Sequence, residues 1–182
     1  GRPIEIAKCA GRCGYVVWSR DGRSILVSDH TRVELTPRLG GSIRRFTGPF
    51  ALHQSTWSPK GTGFAHAGEG ANFFEITDLG GAPSRKVELT ARDATVQSLS
   101  WSPSGGWIAI ATLVQPTNWT IWLVSPDGTR QLKLVDGEDA LYAVQWSRDG
   151  SSIYFLRGQA GSRDVVTARI RQDGKRDGEL RV

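Results

Sequence analysis

An all-β fold of stacked sheets, each of four antiparallel strands, is predicted by three observations on this 182-residue chain. A five-residue unit recurs four times, as WSRDG at 18–22, WSPKG at 57–61, WSPSG at 101–105 and WSRDG at 146–150, with its Trp residues 39, 44 and 45 positions apart. A second glycine turn follows in fixed phase, at Gly41, Gly81, Gly128 and Gly174, which lie 23 to 28 positions after the Trp of their own copy. Between the turns lie short apolar runs of β-formers bounded by Gly, Pro, Asp or Ser, at 24–27, 72–76, 107–111, 120–124 and 152–156. Strands of about five to seven residues and turns of about four fill such a period four times over, which is the make-up of a β-propeller blade. No helix is expected.

In chain order, this places blade one at about 13–47, blade two at 51–89, blade three at 95–135 and blade four at 140–182, all within a single domain or part-domain spanning 1–182. Residues 3–8 read as an extra outer strand, left over from a preceding blade. In each pentapeptide the Trp (Trp18, Trp57, Trp101, Trp146) ends the innermost strand, and the glycine (Gly22, Gly61, Gly105, Gly150) supplies the positive φ of the turn into the second strand. Pro59 and Pro103 fix φ, and Asp21 and Asp149 can accept backbone N–H groups. A Trp at the same place in each copy can cover the face between neighbouring blades, a burial worth about 4–6 kcal/mol before entropy is subtracted. Four blades leave three arrangements open: a fragment of a larger ring, a closed four-bladed ring, or a ring completed by a second chain. An open array would expose two whole blade faces.

Composition narrows the function classes. Hydrophobic residues make up 38% and charged residues 23%, and the 22 glycines suit a globular chain with many tight turns. No apolar run reaches the roughly 18 residues of a membrane helix, so membrane insertion is not expected. The net charge is +5, but Lys and Arg are interspersed with Asp and Glu, which does not make a nucleic-acid footprint. The chain has no Met, even at position 1, and reads as a piece of a longer polypeptide.

The repeated WSxDG turn, with a strand leading into a second Asp-Gly turn as in Trp122-Leu123-Val124-Ser125-Pro126-Asp127-Gly128, resembles the WD40-like repeat of the TolB-like β-propellers. The resemblance covers nearly the whole chain. Blade two departs most, with Lys60 in the Asp position, and no unit ends in the Trp-Asp dipeptide of the eukaryotic WD repeat. It implies a non-catalytic scaffold for protein–protein interaction or ligand sensing, periplasmic or extracellular, with a cytoplasmic location also open. Two alternatives stand beside it. One is the accessory, gating propeller of a prolyl oligopeptidase-type serine hydrolase; the other is a propeller lyase or sugar-binding protein with a channel His–metal site.

Chemistry-bearing groups are sparse. Cys9 and Cys13 suit a short-loop disulfide or two buried thiols, since a zinc site would need two more soft ligands. His30, His53 and His66 share no spacing with Ser or Asp that suggests a triad, although His66 lies in an alternating strand and could face the channel. No Gly-x-Ser-x-Gly elbow occurs, and Ser19, Ser58, Ser102 and Ser147 are explained by their turn. No cofactor, metal or catalytic residue is therefore expected. Asp136-Gly137-Glu138-Asp139 reads as a solvated acidic turn, and Arg44, Arg45, Arg169, Arg171, Lys175 and Arg176 as solvated edge charges. Trp107, Trp119 and Trp122 lie outside the pentapeptide; they are candidates to anchor a partner protein or to pack between blades, with Trp119 and Trp122 on opposite faces of one strand. A protein partner is expected, and self-association to complete a ring is one of the three arrangements left open.

Overall fold

The computed structural model describes residues 5, 15–28, 32–47, 55–68, 70–159 and 161–182, and these hold fifteen β-strands and no helix. Blade one is β1 (Tyr15–Trp18), β2 (Ser24–Ser28), β3 (Arg32–Pro37) and β4 (Arg44–Thr47), paired antiparallel in that order. Blade two repeats the plan with β5 (Ser55–Trp57), β6 (Gly63–Ala67), β7 (Phe73–Asp78) and β8 (Arg85–Glu88). Blade three follows with β9 (Thr95–Trp101), β10 (Ile108–Val114), β11 (Asn118–Val124) and β12 (Gln131–Gly137). Blade four has β13 (Leu141–Trp146), β14 (Ser152–Gln159) and β15 (Ser162–Arg169). The place of its outer strand is held by single pairs, Ile170 with Arg176 and Thr167 with Arg181. Cys9, Cys13, His30, His53 and most of the expected strand at 3–8 lie outside the described residues.

Each inner strand ends on its repeated Trp, and the serine that follows closes the turn. The N–H groups of Ser19, Ser58, Ser102 and Ser147 donate to the carbonyls of Ser24, Gly63, Trp107 and Ser152. The N–H groups of those same four partners donate back to the serine Oγ atoms. Gly22, Gly61, Gly105 and Gly150 complete the turns at φ between 66° and 81°, a region that costs a side chain energy. The serines are thus hairpin clasps, which accounts for their repetition without any reactive role. Ser125 forms the same clasp with Arg130 in the second turn of blade three. The Ser125 hydroxyl, with the Thr129 N–H and hydroxyl, holds the exposed Asp127 carboxyl at about 2, and Ser147 with Ser151 does the same for Asp149.

Blades join through their inner strands: β9 lies across the first three strands of blade two and β13 across those of blade three, while β5 meets blade one at β1. The junctions are part polar: Trp57 Nε1 donates to the Val17 carbonyl at 3.2 Å, Trp101 N to Thr56 Oγ1, and Trp146 N to Ser100 Oγ. Each also has an apolar core. Leu26 and Val33 meet Trp57 and Phe64. Ala65, Ala67 and Phe74 meet Leu99, Ile108 and Ile110. Trp107, Ala109, Ala111 and Ile121 meet Val144, Ile153, Phe155 and Val166. Alanines on the second strands let the next blade approach closely. The four repeated indoles are not equally covered: Trp57, Trp101 and Trp146 pack on a preceding blade, whereas Trp18 is 52% exposed because no described blade precedes it.

Candidate functional site

The ends of all four inner strands and their turns line one open hollow of about 210 Å3, formed by Trp18, Trp57, Trp101 and Trp146 together with Ser100, Gln145 and other polar groups. Its charged lining groups are Arg20 and Arg148. They occupy the same place in their pentapeptides, where blades two and three carry Pro59 and Pro103. The sequence reading assigned these turns to structure and passed over the two arginines; aligning the four pentapeptides is the signal that finds them. The two guanidinium groups can meet an anionic group presented by another molecule, and the Asp21 and Asp149 carboxylates of the same turns accept from Ser19 and Ser147 and lie outside the lining.

The three additional tryptophans are placed differently from a set of partner anchors. Trp107 and Trp119 are 5% and 7% exposed, inside the junction of blades three and four. Trp107 donates to the Gln172 carbonyl and lies under the Arg130 guanidinium at 4.3 Å, and the Trp119 ring sits 4.7 Å from that of Tyr142. Neither presents an indole to solvent, so of the two alternatives, partner anchor or packing between blades, both positions take the second. Burial wins because blade four covers the face of β10 and β11 from which they project. Trp122 packs on the opposite face, toward blade two, with Nε1 donating to Thr112 Oγ1 at 3.2 Å. It is partly buried and its outer side is approached by Lys133.

The sequence reading let His66 face the channel. It does not: the side chain is buried on the Phe64 face of β6, turned toward blade one, with Nε2 3.3 Å from Thr77 Oγ1 and 3.8 Å from Glu75 Oε2. Desolvation lowers its pKa to about 4 despite the nearby carboxylate. The unfolded chain takes up a proton at about 6.5 and the folded chain only near 4. The stability this group contributes is therefore whole above pH 6.5 and is lost as the pH falls toward 4. His66→Gln should lose that pH dependence, on the order of 2 kcal/mol in the difference between urea unfolding curves of parent and variant at pH 7 and pH 4.5. Equal pH slopes for parent and variant would show that His66 is not held neutral.

Among the described residues no group of three or more His, Cys, Asp and Glu converges as a metal site would require. Asp136 pairs with Lys133 at 3.4 Å. Arg44 donates to the Leu79 carbonyl of blade two, and Arg45 pairs with the buried Glu34 at 2.9 Å, so both arginines are structural and more than solvated edge charges. No helix among the described residues is long and apolar enough to cross a membrane.

No family model matches the sequence, and no curated protein matches it. Solved structures do match in fold. A TolB-type protein from Agrobacterium tumefaciens superposes with a TM-score of 0.72 at 23% identity, covering 94% of this chain and 66% of that one. The Cps50 (Swd1) β-propeller domain from Myceliophteria thermophila gives 0.69 at 14% identity, covering 92% and 54%. Dipeptidyl peptidase 4 from Porphyromonas gingivalis gives 0.65 at 9% identity, covering 95% and 33%. The chain spans less than two thirds of each of these proteins. With the repeated turns and the stacked sheets, these likenesses show the fold, a β-propeller of four-stranded blades similar to those of TolB and WD40 propellers.

Proposed function

We propose that the chain is a non-catalytic scaffold that holds an acidic segment of a partner protein on the face carrying the Trp-Ser turns. The observation that carries this reading is the indole-lined cavity with Arg20 and Arg148 at its rim. The clasped turns around it are held at both ends by strands, so little ordering entropy is lost when a partner arrives. The same resemblance in fold supports a location outside the cytoplasm, in the periplasm or beyond the cell. A Glu-rich peptide is the probe, and the four lining tryptophans supply the readout. Titration at low salt should change indole fluorescence, and the double variant Arg20→Glu with Arg148→Glu should weaken binding more than tenfold. An unchanged affinity in that variant, or no fluorescence response in the parent, removes the reading.

A second reading is favoured by the similarity to dipeptidyl peptidase 4, in which this chain would be the accessory propeller of a serine hydrolase of the prolyl oligopeptidase type. There the cavity face would gate access to an active site on another domain. A Gly-x-Ser-x-Gly segment elsewhere in the same polypeptide, labelled by a serine-directed fluorophosphonate, is what that reading requires.

A further inference from the structure

Four large apolar side chains are exposed where the corresponding residues of the blades with a neighbour on that side are buried or, for Trp101 and Trp146, half-buried. Val16 on β1 is 57% exposed, while Ser55, Leu99 and Val144, two positions before their own Trp, are 3%, 4% and 0%. Trp18 is 52% exposed, against 8% for Trp57. Tyr154 on β14 is 45% exposed, while Leu26, Ala65 and Ala109 are 1%, 0% and 0%. Val165 on β15 is 61% exposed, while Val33, Phe74 and Ile121 are each 0%. Val16 and Trp18 belong to the side of blade one that would meet a preceding blade, and Tyr154 and Val165 to the side of blade four that would meet a following one.

The two open strips match one another. At the two junctions on either side of blade three, what crosses is the inner strand of the later blade, and what it lands on includes the second and third strands of the blade before; between blades one and two, Leu26 of β2 and Val33 of β3 share a core with Trp57 of β5 and Phe64 of β6. Blade one leaves its inner strand bare, whereas the outer part of the same side is filled: Ile25 and Thr36 are buried, and Glu34 is enclosed by Arg32 and Arg45. Blade four leaves β14 and β15 bare. Among the described residues, blades one and four do not form such a junction with each other.

We propose that a second copy of this chain fills both strips, with β1 of each copy seated across β14 and β15 of the other, closing an eight-bladed ring of two chains. The contact is head-to-tail and is used twice, so a two-fold rotation closes it. Eight blades lie within the range of about four to eight that propellers adopt. This goes beyond the scaffold reading and does not depend on the cavity binding anything.

Sedimentation velocity over a dilution series tests it. The chain should sediment at twice its 19.9 kDa. Trp18→Glu and Val165→Asp should each give the 19.9 kDa species with an unchanged far-ultraviolet spectrum. Mixing the two variants should restore a dimer, because the intact β14–β15 strip of the first then meets the intact β1 of the second. Val16→Lys with Tyr154→Lys is the substitute pair if either first variant fails to fold. A parent chain that stays at 19.9 kDa, an open-ended series of larger species, or a mixture that remains monomeric overturns the proposal.

Discussion

Phe155→Ala is expected to lower the unfolding free energy by about 3–5 kcal/mol, read as a fall in the urea midpoint at unchanged slope. Phe155 is 1% exposed on β14 and projects into the junction of blades three and four among Ala109, Ile121, Val144 and Val166. Strands β10 and β11 on one side and β13 on the other hold the site open, so the walls cannot collapse into the space the ring leaves. The penalty sits at the upper end of the usual range for that reason. Phe155→Leu keeps most of the volume and should cost about 1 kcal/mol. A loss below 1 kcal/mol for the alanine variant would mean that blade four is not packed on blade three as described.

Gly174→Val should cost about 2–4 kcal/mol and should also disturb Trp107 fluorescence, for two separate reasons. Gly174 sits at φ +86° in the last turn of the chain, where its N–H donates to the Arg171 carbonyl. A β-carbon there would lie 2.6 Å from Cζ2 of Trp107 and 3.0 Å from Cδ1 of Leu132. The turn thus closes over the indole like a lid, with Arg130 stacked on the same ring. Gly22→Ala meets no neighbouring atom and has only the φ penalty, near 1 kcal/mol, so the gap between the two variants measures the contact with Trp107. Equal losses at the two glycines would show that the lid contact is absent.

What occurs within one blade was legible in the sequence, and what occurs between blades largely was not. The pentapeptide encodes its own turn: serine, glycine and, in blades one and four, aspartate find their partners within five residues, so spacing alone revealed them. The opposed faces of Trp119 and Trp122 followed from strand alternation in the same way. Whether a given indole is covered depends on which surface the neighbouring sheet brings to it. That is why the sequence left Trp107 and Trp119 open between anchoring a partner and packing between blades, why Trp18 read like its three counterparts and is half exposed, and why His66 lies between blades. Arg20 and Arg148 were hidden for a related reason. Their residue type is ordinary in a turn, and only the convergence of four strand ends brings the pair to one hollow.

The serial order of the junctions has a consequence for how the molecule comes apart. Among the described residues of one copy, blades are joined only to their neighbours along the chain, so within a single copy no long-range tie obliges the whole array to melt at once. In the monomeric Trp18→Glu variant, amide exchange should therefore be slowest near β6 and β10, in the interior blades, and quicken toward both termini. Such a molecule can gain or shed a unit at either extremity while the remainder keeps its shape, which makes blade number a quantity that gene duplication and deletion can change in whole steps.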